Sequence, residues 1–311
     1  MEKMVMNPIL SKELRSRMRT YKLPLLITIY LGLLGGIALA YSWLQSQTLA
    51  ADGFNPDVGP QLYVLLATLQ LLLLAFVAPA LTAGVINGEK ERQTFDLLIC
   101  TRLSSTSIVL NKLLASIAII ILLIIASLPV FSIVYFYGGV LLSDIGKVFL
   151  IYLVTAVTLG VVGLFCSSLF KRTQISVVVS YLIVFLILVG TLILAVFMRS
   201  AGLRNGMMMN DNLPFVSYLN PLMALYSIFP SQGPGMSFLY GILSEGGPIF
   251  ALTGDGLALW QYNFICDAVI IVVLLVITII RTDPVGRFQW LRRLFAGKKT
   301  GAINNELPAA E

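Results

Sequence analysis

Apolar residues come in long unbroken runs along this chain, and the runs do not alternate with polar positions. Six of them reach the ~20 residues a helix needs to cross hydrocarbon: roughly 23–44, 61–83, 113–137, 148–170, 175–198 and 260–280. Barrel strands would show a two-residue alternation. Backbone groups inside lipid must be bonded within their own segment. The pattern therefore predicts an all-α integral membrane protein, a six-helix transmembrane bundle over residues 23–280.

Weaker patterns flank these runs. In "NPILSKELRSRMRTYK" (7–22), helical spacing puts Leu10, Leu14, Met18 and Tyr21 on one face. Lys12, Arg15, Arg19 and Lys22 share a neighbouring face, and Glu13 belongs to the same candidate interface helix. Asn7 is a capping residue and Pro8 suits the first helical position. Residues 1–22 thus read as an amphipathic helix lying on the membrane, apolar side down and cations at the headgroups. The tail, 281–311, opens with a helix-start signal at Asp283-Pro284. It then mixes aromatic residues and leucines with arginines in "VGRFQWLRRLF", a second interfacial element.

The longest stretch without a span is 199–258. "LPFVSYLNPLMALYSIF" (213–229) is apolar but broken by Pro214, Asn220 and Pro221, and "MSFLYGILSEGGPIFAL" (236–252) by Glu245 and Gly-Gly-Pro. Such pieces suit re-entrant or interfacial helices ahead of the last span. Two additional short spans would preserve the same topology. Within the spans, Gly32, Gly36 and Ala40 recur at four-residue steps, a surface on which another helix can approach closely. Ala156 and Gly160 repeat the spacing. Pro79 and Pro129 each remove a backbone donor from a span.

Charge sets the orientation. The chain is 58% hydrophobic and 12% charged, with a net charge of +6. With the amino terminus placed in the cytoplasm, 18 of the 21 Lys and Arg residues fall inside, and only Lys147, Arg199 and Arg204 outside. By the positive-inside rule both termini are expected in the cytoplasm of a multi-pass plasma-membrane protein. The excess positive charge reads as orientation and contact with lipid headgroups, and calls for no nucleic-acid partner. The basic arm, apolar run and Ala38-Leu39-Ala40 also look like a signal peptide. The length of the arm and of the run favours an uncleaved span.

Little here is equipped for chemistry. The chain has no histidine, the commonest general base and metal ligand. Its three cysteines, Cys100, Cys166 and Cys266, include none in an outside loop, so a disulfide framework is not indicated. "FAGKKTG" (295–301) lacks the spacing of a phosphate-cradling loop and follows no strand. Met207, Met208 and Met209 offer soft thioethers, but three adjacent side chains converge poorly on one ion, and apolar contact is the simpler reading. Asp267 is the one ionisable group inside an apolar span. An intramembrane carboxylate is a functional candidate, yet a lone acid makes a poor proton relay, and water or a polar neighbour accounts for it more simply.

One stretch interrupts the apolar pattern with purpose, "GEKERQTFDLLICTRLSS" (88–105). Glu89 and Arg92 are three apart and Arg92 and Asp96 four apart, a spacing at which one helix would pair them. Thr94, Leu97, Leu98 and Leu103 offer an apolar patch beside the charges, Glu91 among them. Thr101 and Ser104 can turn the chain before the next span. A short polar-edged segment with leucines either binds a partner or lies back on the bilayer.

The string Glu91-Arg92-x-Thr94-x-Asp96-Leu97-Leu98-x-x-Thr101-x-Leu103-Ser104, followed by "IVLNKLLA" (108–115), resembles the ABC-2-type permeases, the membrane subunits of ATP-binding-cassette transporters. "NPILSKELRSRMR" (7–19) is similar to that family's opening. Members often carry glycine before the threonine and proline before the later leucine, where this chain has Gln93 and Arg102. The resemblance implies a permease domain over 23–280 whose element at 84–112 couples to a separate ABC ATPase. ATP and Mg would sit on that partner, with no cofactor on this chain and no enzymatic activity of its own. It further implies a second permease copy or homologous half, and export as the direction. A membrane scaffold or sensor that recruits a cytoplasmic partner through the same loop, moving nothing, is the alternative.

Overall fold

The computed structural model describes residues 21–52, 58–91, 93, 105–204, 215–229 and 258–282. Every regular element among them is helical. The long helices are α1 (Lys22–Asp52), α2 (Val58–Thr82), α4 (Ser105–Tyr137) and α5 (Leu142–Leu169). A fifth span is made of α6 (Thr173–Phe185) and α7 (Thr191–Arg204) joined by a π-turn at Leu186–Gly190. The last is α9 (Leu259–Thr282). Between them lie the short helices α3 (Asn87–Glu91) and α8 (Pro221–Tyr226), and a 3₁₀ turn at Phe215–Leu219. Among the described residues, six helices are long and apolar enough to cross a membrane.

The helices outrun the apolar segments that mark them. α1 continues to Asp52, past the expected 44, because "SWLQSQTLAAD" contains no proline or glycine to stop it. Its 31 residues make ~46 Å of helix at 1.5 Å per residue, more than the ~30 Å of hydrocarbon. α5 begins at Leu142 instead of 148. Asp144 and Lys147 interrupt the apolar run there, but they form an i,i+3 ion pair of 2.9 Å on the helix. The turn between α4 and α5 is tight because Gly138 and Gly139 take φ of 78° and 83°, which side-chain-bearing residues rarely adopt.

α5 is the central helix: 67% of its apolar window is buried, against 17% for α1 and for the fifth span. α9, α2, α4 and α6 pack around it. The core carries a chain of edge-to-face rings, Phe229–Tyr63–Phe131–Phe149–Tyr152, with centroids 5.3–6.0 Å apart. The Tyr152 hydroxyl donates to the Ala67 carbonyl at 2.9 Å. Val178, Leu182, Phe185 and Phe197 on the fifth span, and Val269, Val272 and Val276 on α9, face outward and give the bundle its apolar exterior.

Small residues serve two different ends. A Cβ on Gly163 would fall 2.0 Å from the Thr82 hydroxyl, so glycine is what lets α2 and α5 meet there. Gly160 lies against Thr82, Leu113 and Ile117, and Ala156 is buried. The fourth-span pair is therefore used inside the chain and not for contact with another subunit. On α1, by contrast, nothing lies within 4 Å of a Cβ built on Gly32 or Gly36, and Ala40 is exposed.

The stretch 213–229 does not form an extra span. Its α-helix has six residues, ~9 Å long. Asn220 caps it, accepting from the Leu222 amide, and Pro221 occupies the first position. Pro221, Met223, Ala224, Leu225 and Tyr226 are buried, so the segment packs into the bundle. The interfacial helix over 7–20, residues 236–252 and the tail from 283 lie outside the described residues, as do Asn7, Pro8, Lys12, Glu13, Leu14, Arg15 and Met207 to Met209.

Candidate functional site

The candidate coupling element starts where α2 ends. Helical bonding runs nearly unbroken from α2 into α3: Ala83 N–H donates to the Pro79 carbonyl at 2.8 Å, Gly88 to Gly84 at 2.9 Å, and Lys90 to Ile86 at 3.2 Å. α3 is thus a short rigid continuation of the second span, and three neighbouring helices hold it.

The end of α5 holds it through Ser167, which is fully buried. The Ser167 hydroxyl accepts from the backbone amides of Ile86 at 2.9 Å and Asn87 at 3.1 Å. Those two amides sit in a turn and would otherwise be enclosed without an acceptor, which is costly away from water. The Asn87 side-chain amide is enclosed among Ser167, Phe170 and Arg172. The Lys90 ammonium reaches the Ser168 carbonyl at 3.5 Å.

α6 holds it from a second side. The Glu91 carboxylate accepts from the Thr173 amide at 2.7 Å. The residue before α6, Arg172, provides no side-chain cap, so a carboxylate from another helix caps it and meets the positive end of its dipole. The Ser176 hydroxyl donates to the Ala83 carbonyl at 2.8 Å.

α4 holds it from a third. The Lys112 ammonium pairs with the Glu89 carboxylate at 2.5 Å, with Lys112 3% and Glu89 28% exposed. This pair joins the segment entering the 92–104 connection to the helix leaving it. Removing one partner of an enclosed ion pair costs ~3–5 kcal/mol, because the other charge is left buried. Beneath it, Val85, Ile86, Val109, Leu113, Ile117, Val161 and Leu164 form a separate apolar cluster.

Glu89 and Glu91 are the two acidic candidates the structure places, and both turn toward the bundle. Arg92 and Asp96, the residues expected to pair on one helix with Glu89, lie outside the described residues. α3 stops at Glu91, and Gln93 is left-handed with φ of 56°. That conformation favours glycine, the residue often found at this place in the family the sequence resembles. The turn survives here with a glutamine in it. Arg92, Thr94, Asp96, Leu97, Leu98, Thr101, Leu103 and Ser104 lie outside the described residues.

Asn87, Ser167, Thr173 and Lys112 were missed as site residues when read from sequence alone. Lys112 entered only as a topological charge. The available signal was Ser167-Ser168 at a span end, where polar hydroxyls in an apolar helix need partners.

Asp267 sits apart from this cluster, on α9 where it packs on α5. It is 4% exposed, with the Thr158 side chain beside it, and the Thr158 hydroxyl donates to the Val154 carbonyl at 3.0 Å.

Six helices long and apolar enough to cross a membrane, one of them central, define among the described residues a multi-pass membrane protein of all-α type. The family model for ABC-2 family transporter proteins matches residues 7–282, and the chain belongs to that family. No individual curated relative matches it at a significant level. The chain is thus a membrane component of an ABC transporter, the role in which that family associates with an ABC ATPase.

Proposed function

We propose that the chain is the permease half of an exporter, driven by a separate cytoplasmic ATPase that docks on residues 89–104. The observation that supports this most is the three-way clamp on α3. A partner pressing on a loose loop would move only the loop. A partner pressing on a segment bonded to α4, α5 and α6 displaces three spans together. Coupling between distant sites needs such a packed element, biased by both of them. Two halves would enclose the path between them, with both termini in the cytoplasm of the plasma membrane, and ATP with Mg would be bound on the partner.

The test is purification of the protein from its native cells in mild detergent, with mass spectrometry and an ATPase assay on the eluate. An active ATP-binding-cassette ATPase is expected in stoichiometric amount, and expected to be lost when Leu97 and Leu98 are both replaced by Ser. Retention of the ATPase by that double variant would remove residues 89–104 as the docking element. Absence of any ATPase from a preparation that preserves other complexes would favour a scaffold or sensor.

A further inference from the structure

The fifth span is jointed. A π-turn inserts a residue into the α-helical ladder and is often found where function needs a break in register. Here it leaves the Leu188 carbonyl to accept from outside the helix. The Asn220 side-chain amide donates to that carbonyl at 2.9 Å and to the Thr191 hydroxyl at 3.0 Å. Thr191 in turn donates to the Ile187 carbonyl. Asn220 is fully enclosed, and its side-chain oxygen accepts from the Leu222 amide at 2.9 Å. Both hydrogens and the oxygen of one buried amide are therefore spent on joining the π-turn to α8.

The two halves of this span are tied to different parts of the molecule. α6 is bonded to the candidate coupling element and α2, through Thr173 to Glu91, Ser176 to Ala83, and the Tyr181 hydroxyl to the Phe76 carbonyl. The far side of the joint is bonded to the 215–229 segment through Asn220. Among the described residues, that segment is bonded to the other helices where the Asn263 amide donates to the Tyr218 carbonyl at 2.8 Å and where the Tyr226 and Thr68 hydroxyls lie 3.1 Å apart, and its Met223, Leu225 and Phe229 are buried in the core.

We infer that Asn220 is the positioning residue of a lever made by the fifth span, linking displacement of α3 at one end to release of the 215–229 segment from the bundle at the other. The inference rests on the permease reading and names the part of the chain that would open. When α6 moves with α3, the π-turn changes its bonding, the Leu188 carbonyl is withdrawn from Asn220, and the buried face of α8 is freed.

The test uses the purified full-length protein in lipid nanodiscs. Cys100, Cys166 and Cys266 are replaced by Ser, and Met223→Cys, at a position 1% exposed, reports on the buried face of α8. Labelling by a soluble maleimide is expected to be slow. Asn220→Asp keeps the cap on Leu222 but has no hydrogen for the Leu188 carbonyl. It should label about tenfold faster or more, as expected when a buried bond loses its donor. Thr191→Ala, which removes one of the two acceptors and threatens the fold less, should give a smaller increase. With the ATPase bound, trapping it with ATP and vanadate should accelerate labelling when Asn220 is present and leave the Asn220→Asp rate unchanged. A role in stability alone would not produce that nucleotide dependence. Equal labelling of parent, Asn220→Asp and Thr191→Ala would overturn the latch. Labelling that responds to Asn220→Asp but not to nucleotide, in a complex shown to be assembled, would overturn the lever. If no ATPase is recovered, the permease reading fails, and the comparison of Asn220 with its variants still decides the latch.

Discussion

Gln93 occupies a backbone conformation that disfavours side chains, with φ of 56°, two residues past the end of α3. The left-handed region costs an ordinary L-residue ~1–2 kcal/mol, and glycine escapes that cost. Gln93→Gly is therefore expected to stabilise the protein by about 1 kcal/mol, seen as a higher unfolding midpoint in detergent. A lower midpoint would mean that the glutamine side chain holds the turn. Asp267 offers the opposite case, a residue whose chemistry invites more than its surroundings support. It is enclosed between α9 and α5 with the Thr158 hydroxyl beside it, and burial of a carboxylate without a cation is unfavourable. An amide of the same shape removes the buried charge, and its N–H can donate to the Thr158 oxygen, whose own hydrogen goes to the Val154 carbonyl. Asp267→Asn is accordingly expected to leave assembly and ATP turnover in the complex unchanged. Loss of turnover with assembly intact would make Asp267 part of the transport mechanism.

At the scale of elements, the six spans were legible because length without charge is a strong signal in lipid. Their ends were not. α1 and α5 extend through polar residues that hydropathy excludes but helix propensity accepts, as at Ser42–Asp52 and Asp144–Lys147. The short helix α8 was readable from Asn220-Pro221, a cap followed by a first-position proline. The π-turn was not, since "LILVG" looks like any span interior and its distinguishing feature is a bond to a residue about thirty positions away. The coupling site divides in the same way. Its acidic string stood out against apolar neighbours, but its rigidity depends on Ser167, Thr173 and Lys112, whose partners lie more than twenty residues distant in sequence. No local pattern encodes those contacts.

At the scale of the whole molecule, α1 and the fifth span both have little of their apolar windows buried. On α1, among the described residues, nothing lies within 4 Å of a Cβ on Gly32 or Gly36, and Ala40 is exposed. A second copy seated there would use the close approach that small residues allow. Gly36→Cys is predicted to yield a disulfide-linked dimer in mildly oxidised membranes, whereas Ala156→Cys, enclosed against α2 and α4, is predicted not to. If neither forms a dimer, the two halves meet on another face. A second copy would bear on how the path is enclosed; the clamp on α3 bears on how it is driven. The most direct test of the account is the rate of ATP hydrolysis by the purified complex in nanodiscs when the Glu89–Lys112 pair is reversed. Compared at equal amounts of bound ATPase, Glu89→Lys and Lys112→Glu should each remove the permease's effect on its rate, and the double reversal should restore much of that effect. Full coupling in both single variants would contradict the claim that α3 carries the motion into the bundle.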